Sequence, residues 1–380
     1  MSQKWPDIVG FAMKEKTPQH VPIIFNDVTY ETKDYKMIYH NKNKHLIKSL
    51  RSPDYNFDFN MNTGFFARWG KTKNEDPDFS PFGGEIADIE ISTKCNGLKG
   101  KLCSMCYKSN TPDGKNMSFE TFKKLFHKLN LDVLTQIAFG SGSTGEENPD
   151  TWKIMQYCRD NGIVPNITIA DISDETADKL VKYCGACAVS RYDDKNFCYD
   201  SVKKLTDRGL KQTNIHICLH KNSICQVMET MNDYLTDERL SKLNAIVLLS
   251  LKQKGRGKKL ETVSQEEFDK IVEFALTNKI PIGFDSCTAK KFLRSVKENE
   301  NLKMFEMLVE PCESTVFSQY ISVVGEFFPC SFCEGESTWS EGLDVINCND
   351  FEKDIWSNER TVKFRDNLLK NCRNCIMFNV

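Results

Sequence analysis

The chain has 380 residues, 40% of them hydrophobic and 27% charged, with a formal net charge of −2. That balance is ordinary for a globular protein and excludes the global basic field that long nucleic acid would attract. No apolar run approaches the length that spans a bilayer, and the opening Met-Ser-Gln-Lys-Trp-Pro-Asp lacks a signal-peptide core, so a cytoplasmic location without a membrane partner is expected.

Residues 1–84 carry no long helical periodicity and read as an N-terminal accessory segment. Val28–Tyr30 is a strand candidate, and Tyr55–Phe59 with Phe65–Trp69 predicts a hairpin around Asn60–Gly64. The segment is either a module that holds a substrate or an extension that packs on the main domain. Positions 71–84, with Pro, Asp, Asn and Gly, read as a linker.

Ile86–Ser92 alternates and is rich in β-branched residues, which predicts a strand. Cys95, Cys103 and Cys106 follow, then Met117–Phe126 predicts a helix with Ser118 as N-cap. The thiols thus fall on a loop at the C-terminal end of a strand, where α/β folds place their chemistry. Further strands are expected at Leu134–Phe139, Val164–Ile169, Ala186–Ser190, Asn214–Leu219 and Ala245–Ser250, with one more at Gly283–Cys287. Helices are expected at 151–161, 174–184, 199–208 and 224–235. Six strands alternating with helices predict a parallel sheet with right-handed crossovers, too few for a closed eight-stranded barrel. The fold class is therefore α/β, and six units fit the partial (β/α)6 barrel that the resemblance described below implies. One strand face carries Asp88, Glu90, Gln136, Asn166, Thr168, Ser190, His216, Cys218 and His220, and the other is aliphatic. A polar lumen suits a cofactor and a polar substrate better than a filled core does. His216 and His220 also fit as hydrogen-bonded interior histidines.

Three clustered thiols leave one position of a tetrahedral or cubane site open, whereas a structural zinc site closes with four ligands. The run C-x7-C-x2-C at Cys95, Cys103 and Cys106 resembles the three-cysteine motif of the radical S-adenosylmethionine (SAM) superfamily, usually C-x3-C-x2-C, in which longer first gaps occur. The resemblance implies a 4Fe–4S cluster whose fourth iron chelates SAM. A zinc knuckle with a distant fourth ligand is the alternative. By the same resemblance the glycine-rich turn Gly140, Ser141, Gly142 after the second strand would meet the SAM amino group, although no acid follows directly. Ser141, Ser143 and Thr144 are the hydroxyls at hand. Ser190 and Arg191 would hold the SAM ribose and carboxylate, unless Arg191 pairs with Asp193 or Asp194. The basic run Lys252–Lys259 reads as a solvated loop or as a contact for an anionic group, and Asp285 falls near the substrate.

Sixteen cysteines in a cytoplasmic chain suggest metal ligation or reactive thiols rather than disulfides. Downstream, Cys312 is followed by Gly325, Cys330 and the pair Cys372 and Cys375, and a hairpin is expected over Ile321–Pro329. This C-x12-G-x4-C then C-x2-C arrangement, with Trp339, Trp356 and a helix from Glu359, resembles the Twitch/SPASM-like domain of radical SAM enzymes. It implies a second, auxiliary 4Fe–4S cluster on Cys312, Cys330, Cys372 and Cys375; a closed zinc site is again the alternative. Cys218, Cys287, Cys333 and Cys348 are left as ligands, hydrogen-atom donors or core. The expected division is 1–84 accessory segment, 85–290 radical SAM core and 291–380 auxiliary cluster domain. The implied activity is oxidoreductase chemistry that cleaves SAM reductively and abstracts a substrate hydrogen, with an electron donor such as flavodoxin or ferredoxin. A peptide to be crosslinked, epimerised or dehydrogenated is the first substrate expected. A small polyol, an aminocyclitol or a nucleotide comes next, and a zinc-binding scaffold is the non-enzymatic reading.

Overall fold

The computed structural model describes residues 27–42 and 45–378, so part of the N-terminal segment lies outside the described residues. Strands β1 (Val28–Glu31), β2 (Lys36–Lys42), β3 (His45–Arg51), β4 (Asn56–Asn60) and β5 (Phe66–Trp69) pair antiparallel in sequence order. The hairpin expected around Asn60–Gly64 is present. The Asn60 side chain accepts from the amides of Asn62 (3.0 Å) and Thr63 (3.1 Å), and Gly64 takes φ +77°. Strands β2 and β3 were not expected, because Lys, Asn and His interrupt their apolar alternation.

The second sheet begins with β6 (Ile86–Glu90), followed by α1 (Phe119–Phe126), β7 (Gln136–Gly140), α2 (Thr151–Asp160), β8 (Val164–Ile169), α3 (Asp174–Tyr183) and β9 (Ala186–Ser190). It continues through α4 (Lys195–Asp207), β10 (Gln212–Leu219), α5 (Ile224–Thr236), β11 (Ala245–Ser250), α6 (Gln265–Thr277) and β12 (Ile282–Phe284). Each of these strands pairs parallel with the next. Local chemistry sets the helix starts: Ser118 and Ser173 accept from the amides of Thr121 and Thr176, and Ser264 with Glu267 forms a reciprocal capping box.

After α7 (Ala289–Ser295) and α8 (Leu302–Leu308) come β13 (Ser318–Ile321), β14 (Glu326–Phe328), β15 (Leu343–Asp344) and α9 (Glu359–Lys370). Strand β13 lies parallel to β6, with Tyr320 opposite Asp88, and β14 and β15 add antiparallel strands. The C-terminal segment therefore continues the core's sheet past its first strand, giving ten strands in the order β12-β11-β10-β9-β8-β7-β6-β13-β14-β15. The barrel stays open. No helix among the described residues is long and apolar enough to cross a membrane.

The two faces separate as the alternation demands. Ala87, Ile89, Ile137, Ile215, Ile217, Ile246 and Leu248 are fully buried beneath the helices. Removing such side chains from water at ~25 cal/mol per Å² of apolar surface is what closes the helical layer on the sheet.

The N-terminal sheet docks at the base of the barrel, the end opposite the cysteine loop. Tyr55 donates to Glu85, just before β6, at 2.5 Å, and Arg68 pairs with Glu85 (2.9 Å) and Glu310 (3.1 Å). The buried ammonium of Lys48 donates to the carbonyls of Leu131 and Leu134, just before β7. The described part of this segment thus packs on the main domain.

Burial lowers the Lys48 pKa to about 7. The unfolded chain then binds more protons than the folded one between about 7 and the ordinary lysine range near ~10.4, so stability rises with pH across that window. Lys48→Met is expected to flatten this rise, as read from melting temperatures between pH 7 and 10.

Candidate functional site

Cys95, Cys103 and Cys106 lie on the loop after β6, each partly buried. Cys103 and Cys106 are hydrogen-bonded thiol to thiol. That bond, then burial, keeps Cys103 protonated, while the same bond holds Cys106 acidic, at about 5. Cys95 lies close enough to feel the Cys106 charge, and its sulfur accepts from the Gly97 amide at 3.3 Å. The widened first gap has a structural answer. Leu98 and Lys101 exchange backbone hydrogen bonds (3.1 and 3.0 Å) around Lys99 and Gly100, with Gly97 and Gly100 at φ +67° and +81°. The extra residues leave the loop as a miniature hairpin, so Cys95 still stands beside Cys106. Lys99 pairs with Asp171 (2.7 Å) and Lys101 with Asp193 (2.8 Å), pinning the hairpin to the loops after β8 and β9.

The basic run after β11 is no free loop. The Arg256 amide donates to the Cys106 carbonyl (3.0 Å), and its guanidinium donates to the carbonyls of Cys103 (2.8 Å) and Asn110 (3.0 Å). A Cβ at Gly255 would collide with the Tyr107 and Cys106 carbonyls. The guanidinium also lies against the Cys103 thiol and favours its anion. Arg256→Gln removes both side-chain bonds and is expected to cost about 1–3 kcal/mol. Thermal unfolding together with the iron content of anaerobically reconstituted protein checks this, since both should fall.

Gly140, Ser141 and Gly142 form the turn after β7. The acid that does not follow directly arrives at Glu147, whose carboxylate folds back to accept from the amides of Ser143 (2.6 Å), Thr144 (3.0 Å) and Gly145 (3.0 Å). Its side chain fills the space a Cβ at Gly142 would need, and its charge reaches Cys95. The signal for it was present in Gly145-Glu-Glu147, a turn that returns the chain on itself. Ser143 donates to the Gly97 carbonyl at 3.0 Å, tying this turn to the thiol loop. Ser141 Oγ is buried with no partner among the described residues.

Ser190 ends β9 on the lumen face. Arg191, one residue on, turns to the helix side, where Glu229 on α5 takes its guanidinium at 2.7 Å and the Asp193 carbonyl accepts at 3.1 Å. The expected pairing with Asp193 or Asp194 is corrected: Asp193 holds Lys101, and Asp194 caps α4 by accepting from Asn196. Strand parity is the reason, because consecutive residues leave opposite faces. Tyr192 returns toward the thiols and hydrogen-bonds both Ser190 and Cys103.

A second group of thiols gathers where β12, the Cys330 turn and the C-terminus meet. Cys330 and Cys333 lie 3.4 Å apart, sulfur to sulfur. Cys375 is hydrogen-bonded to Cys287, which lowers it to about 6, and Cys312 feels both Cys330 and Cys375. Cys372, expected in this set, is exposed in a left-handed turn at φ +51°. Cys287 and Cys333, which the motif left over, occupy the group instead, while Cys348 is buried with its thiol on the Val345 carbonyl. Among the described residues, no three His, Cys, Asp or Glu side chains converge on a point that one metal ion could occupy. Tyr107, next to Cys106, packs on Phe332, between Cys330 and Cys333, at a ring distance of 4.3 Å. The two thiol groups thus share one aromatic contact.

His216 faces the lumen, makes no hydrogen bond to a described residue, and is held neutral by burial, at about 4. His220 is buried, and its Nδ1 has no partner among the described residues. His216 is thus not the hydrogen-bonded interior histidine that was one expectation.

No protein-family model matches the sequence, and no curated protein matches it. Solved structures do. A histidine-tagged anSMEcpe with bound AdoMet is similar over 74% of this chain and 84% of its own, with 13% identity and a TM-score of 0.51. The partial (β/α) barrel is a fold this chain shares with that solved structure. BtrN in complex with AdoMet and 2-DOIA covers 76% and 87%, with 15% identity and a TM-score of 0.40. The coproporphyrinogen III oxidase HemN of Escherichia coli covers 53% and 54%, with 14% identity and a TM-score of 0.35.

Proposed function

We propose that the chain is a radical SAM enzyme, a reading carried by three half-buried thiols grouped at the C-terminal end of the first strand of an open barrel. Cys95, Cys103 and Cys106 fit a 4Fe–4S cluster that keeps one iron free of protein thiolate. A cluster held by these thiols would supply the one-electron reduction of SAM that makes abstraction of hydrogen from an unactivated C–H bond possible.

The chain's own residues do the rest. Gly140 and Gly142 let backbone approach the cofactor, and the unpartnered Ser141 hydroxyl is placed to meet its polar end. Ser190 reaches the same space from β9, while Arg191 acts from behind the strand, its charge already matched by Glu229. Tyr192 and Arg256 brace the thiols.

Cys312, Cys330, Cys333 and Cys375, with Cys287 beside them, make up the auxiliary cluster site in this reading, in place of a set that includes Cys372. A second cluster held there would supply an electron acceptor for a product that is oxidised. A flavodoxin or ferredoxin is the electron donor. Peptide modification is the first reading of the reaction. Dehydrogenation of a small polyol or aminocyclitol is favoured by one observation, that the described N-terminal sheet sits at the base rather than at the mouth.

Iron and sulfide analysis after anaerobic purification tests the proposal. Two clusters predict about eight iron atoms per chain. Stoichiometric zinc without iron overturns it in favour of a zinc-binding scaffold.

A further inference from the structure

One partly buried cation at the thiol loop has no carboxylate to answer it. Lys99 pairs with Asp171, Lys101 with Asp193, and Lys108 with Glu90 and Glu334. Arg256 pairs with no carboxylate among the described residues. Its side-chain bonds go to main-chain carbonyls, Nε to Cys103 at 2.8 Å and Nη1 to Asn110 at 3.0 Å. Nη2 is buried and has no partner among the described residues. In a planar guanidinium Nε–H and one N–H of Nη2 share an edge. The edge that meets the Cys103 carbonyl therefore also turns Nη2 toward Cys103. The Arg256 amide on the Cys106 carbonyl (3.0 Å), and the close approach of Gly255 and Gly257 to the carbonyls of Cys106 and Met105, hold the guanidinium there. Burial raises Cys95, and the thiol–thiol bond splits Cys103 from Cys106, yet the Arg256 charge favours the anion at all three. An enclosed cation without a counter-charge is costly, and a thiolate-bound cluster would supply one.

We infer that Arg256 sets how readily the first thiol group's cluster takes its electron: Nη2 donates a hydrogen bond to the Cys103 sulfur once a cluster is held there, and the guanidinium charge makes that cluster easier to reduce. The inference rests on the radical SAM reading of the three thiols. The electron comes from the external one-electron donor and ends on the cluster, whose net negative charge it deepens. A fixed cation beside the sulfurs favours the more negative state and so raises the potential, as N–H donors to the sulfurs also do. Lysine at this position keeps the charge, whereas glutamine keeps a donor without it.

Redox titration of anaerobically reconstituted protein, followed by EPR without SAM, tests it. The signal to follow is the one that added SAM alters, and its midpoint potential does not depend on how much of the protein is loaded. At a fixed solution potential, Arg256→Gln is expected to hold a ratio of reduced to oxidised cluster about tenfold below wild type, a midpoint lower by about 59 mV. Arg256→Lys should stay within about threefold of wild type. An unchanged potential in Arg256→Gln overturns the inference, as does an Arg256→Lys potential as low as that of Arg256→Gln. Should Arg256→Gln load no iron, wild-type protein grown on arginine with heavy nitrogen in its guanidinium decides. Its reduced cluster should show hyperfine coupling to that nitrogen in pulsed EPR, and absence of the coupling overturns the inference. Failure of the underlying reading shows separately, as wild-type protein without any SAM-sensitive cluster signal.

Discussion

Cys106→Ser is expected to abolish reductive cleavage of SAM, with 5′-deoxyadenosine falling at least a thousandfold below wild type. Its thiol is the most acidic of the three, held so by the hydrogen bond from Cys103. It also sits at the centre of the clamp, since its own carbonyl takes the Arg256 amide. A hydroxyl in its place is a far poorer iron ligand than a thiolate. Iron should drop from about eight to about four atoms per chain, the remainder belonging to the second thiol group. Cys333→Ala should remove the other half of the iron. Quantifying iron and 5′-deoxyadenosine for both variants separates the two sites.

The second large effect is on stability. Arg68→Ala is expected to lower the unfolding free energy by ~3–5 kcal/mol, because breaking a buried ion pair leaves the other charge without a partner. Arg68 is nearly inaccessible, pairs with the inaccessible Glu85 and with Glu310, and lies 3.4 Å over the Phe317 ring centroid. It thereby joins β5, the start of β6 and the segment before β13. Burial, offset in part by Arg68, already raises Glu85 to about 7. Without the guanidinium that carboxyl takes up a proton, which limits the loss. Urea unfolding monitored by fluorescence measures the change. The site itself lies at the opposite end of the strands, so folded Arg68→Ala is expected to cleave SAM at the wild-type rate. A loss of cleavage in fully folded variant would mean that the base and the mouth are coupled.

Much of this architecture was legible in the residues. Most strands from β6 to β12 announced themselves by their apolar or β-branched content, and the polar face at Asp88, Asn166 and His216 was readable because a period of two holds in those three strands. The thiol loop was legible from spacing. Other features depend on distant partners, which local pattern does not encode. Strand β13 pairs with β6 across more than two hundred residues of intervening chain, so the joining of the C-terminal segment to the core's sheet left no local mark. Arg256 was hidden in a run of similar charges, and only the approach of Gly255 and Gly257 to the thiol loop singles it out. Cys287 and Cys333 were indistinguishable from inert core thiols until the fold set them beside Cys375 and Cys330. The ion-pair partner of Arg191 was not readable, because Glu229 lies on a helix 38 residues away in sequence.

The central claim is that the loop after β6 holds a cluster able to cleave SAM. Protein purified anaerobically, reduced with dithionite and supplied with SAM should release 5′-deoxyadenosine and methionine in equal amounts, detected by mass spectrometry. Iron-replete, reduced protein that leaves SAM intact would contradict it.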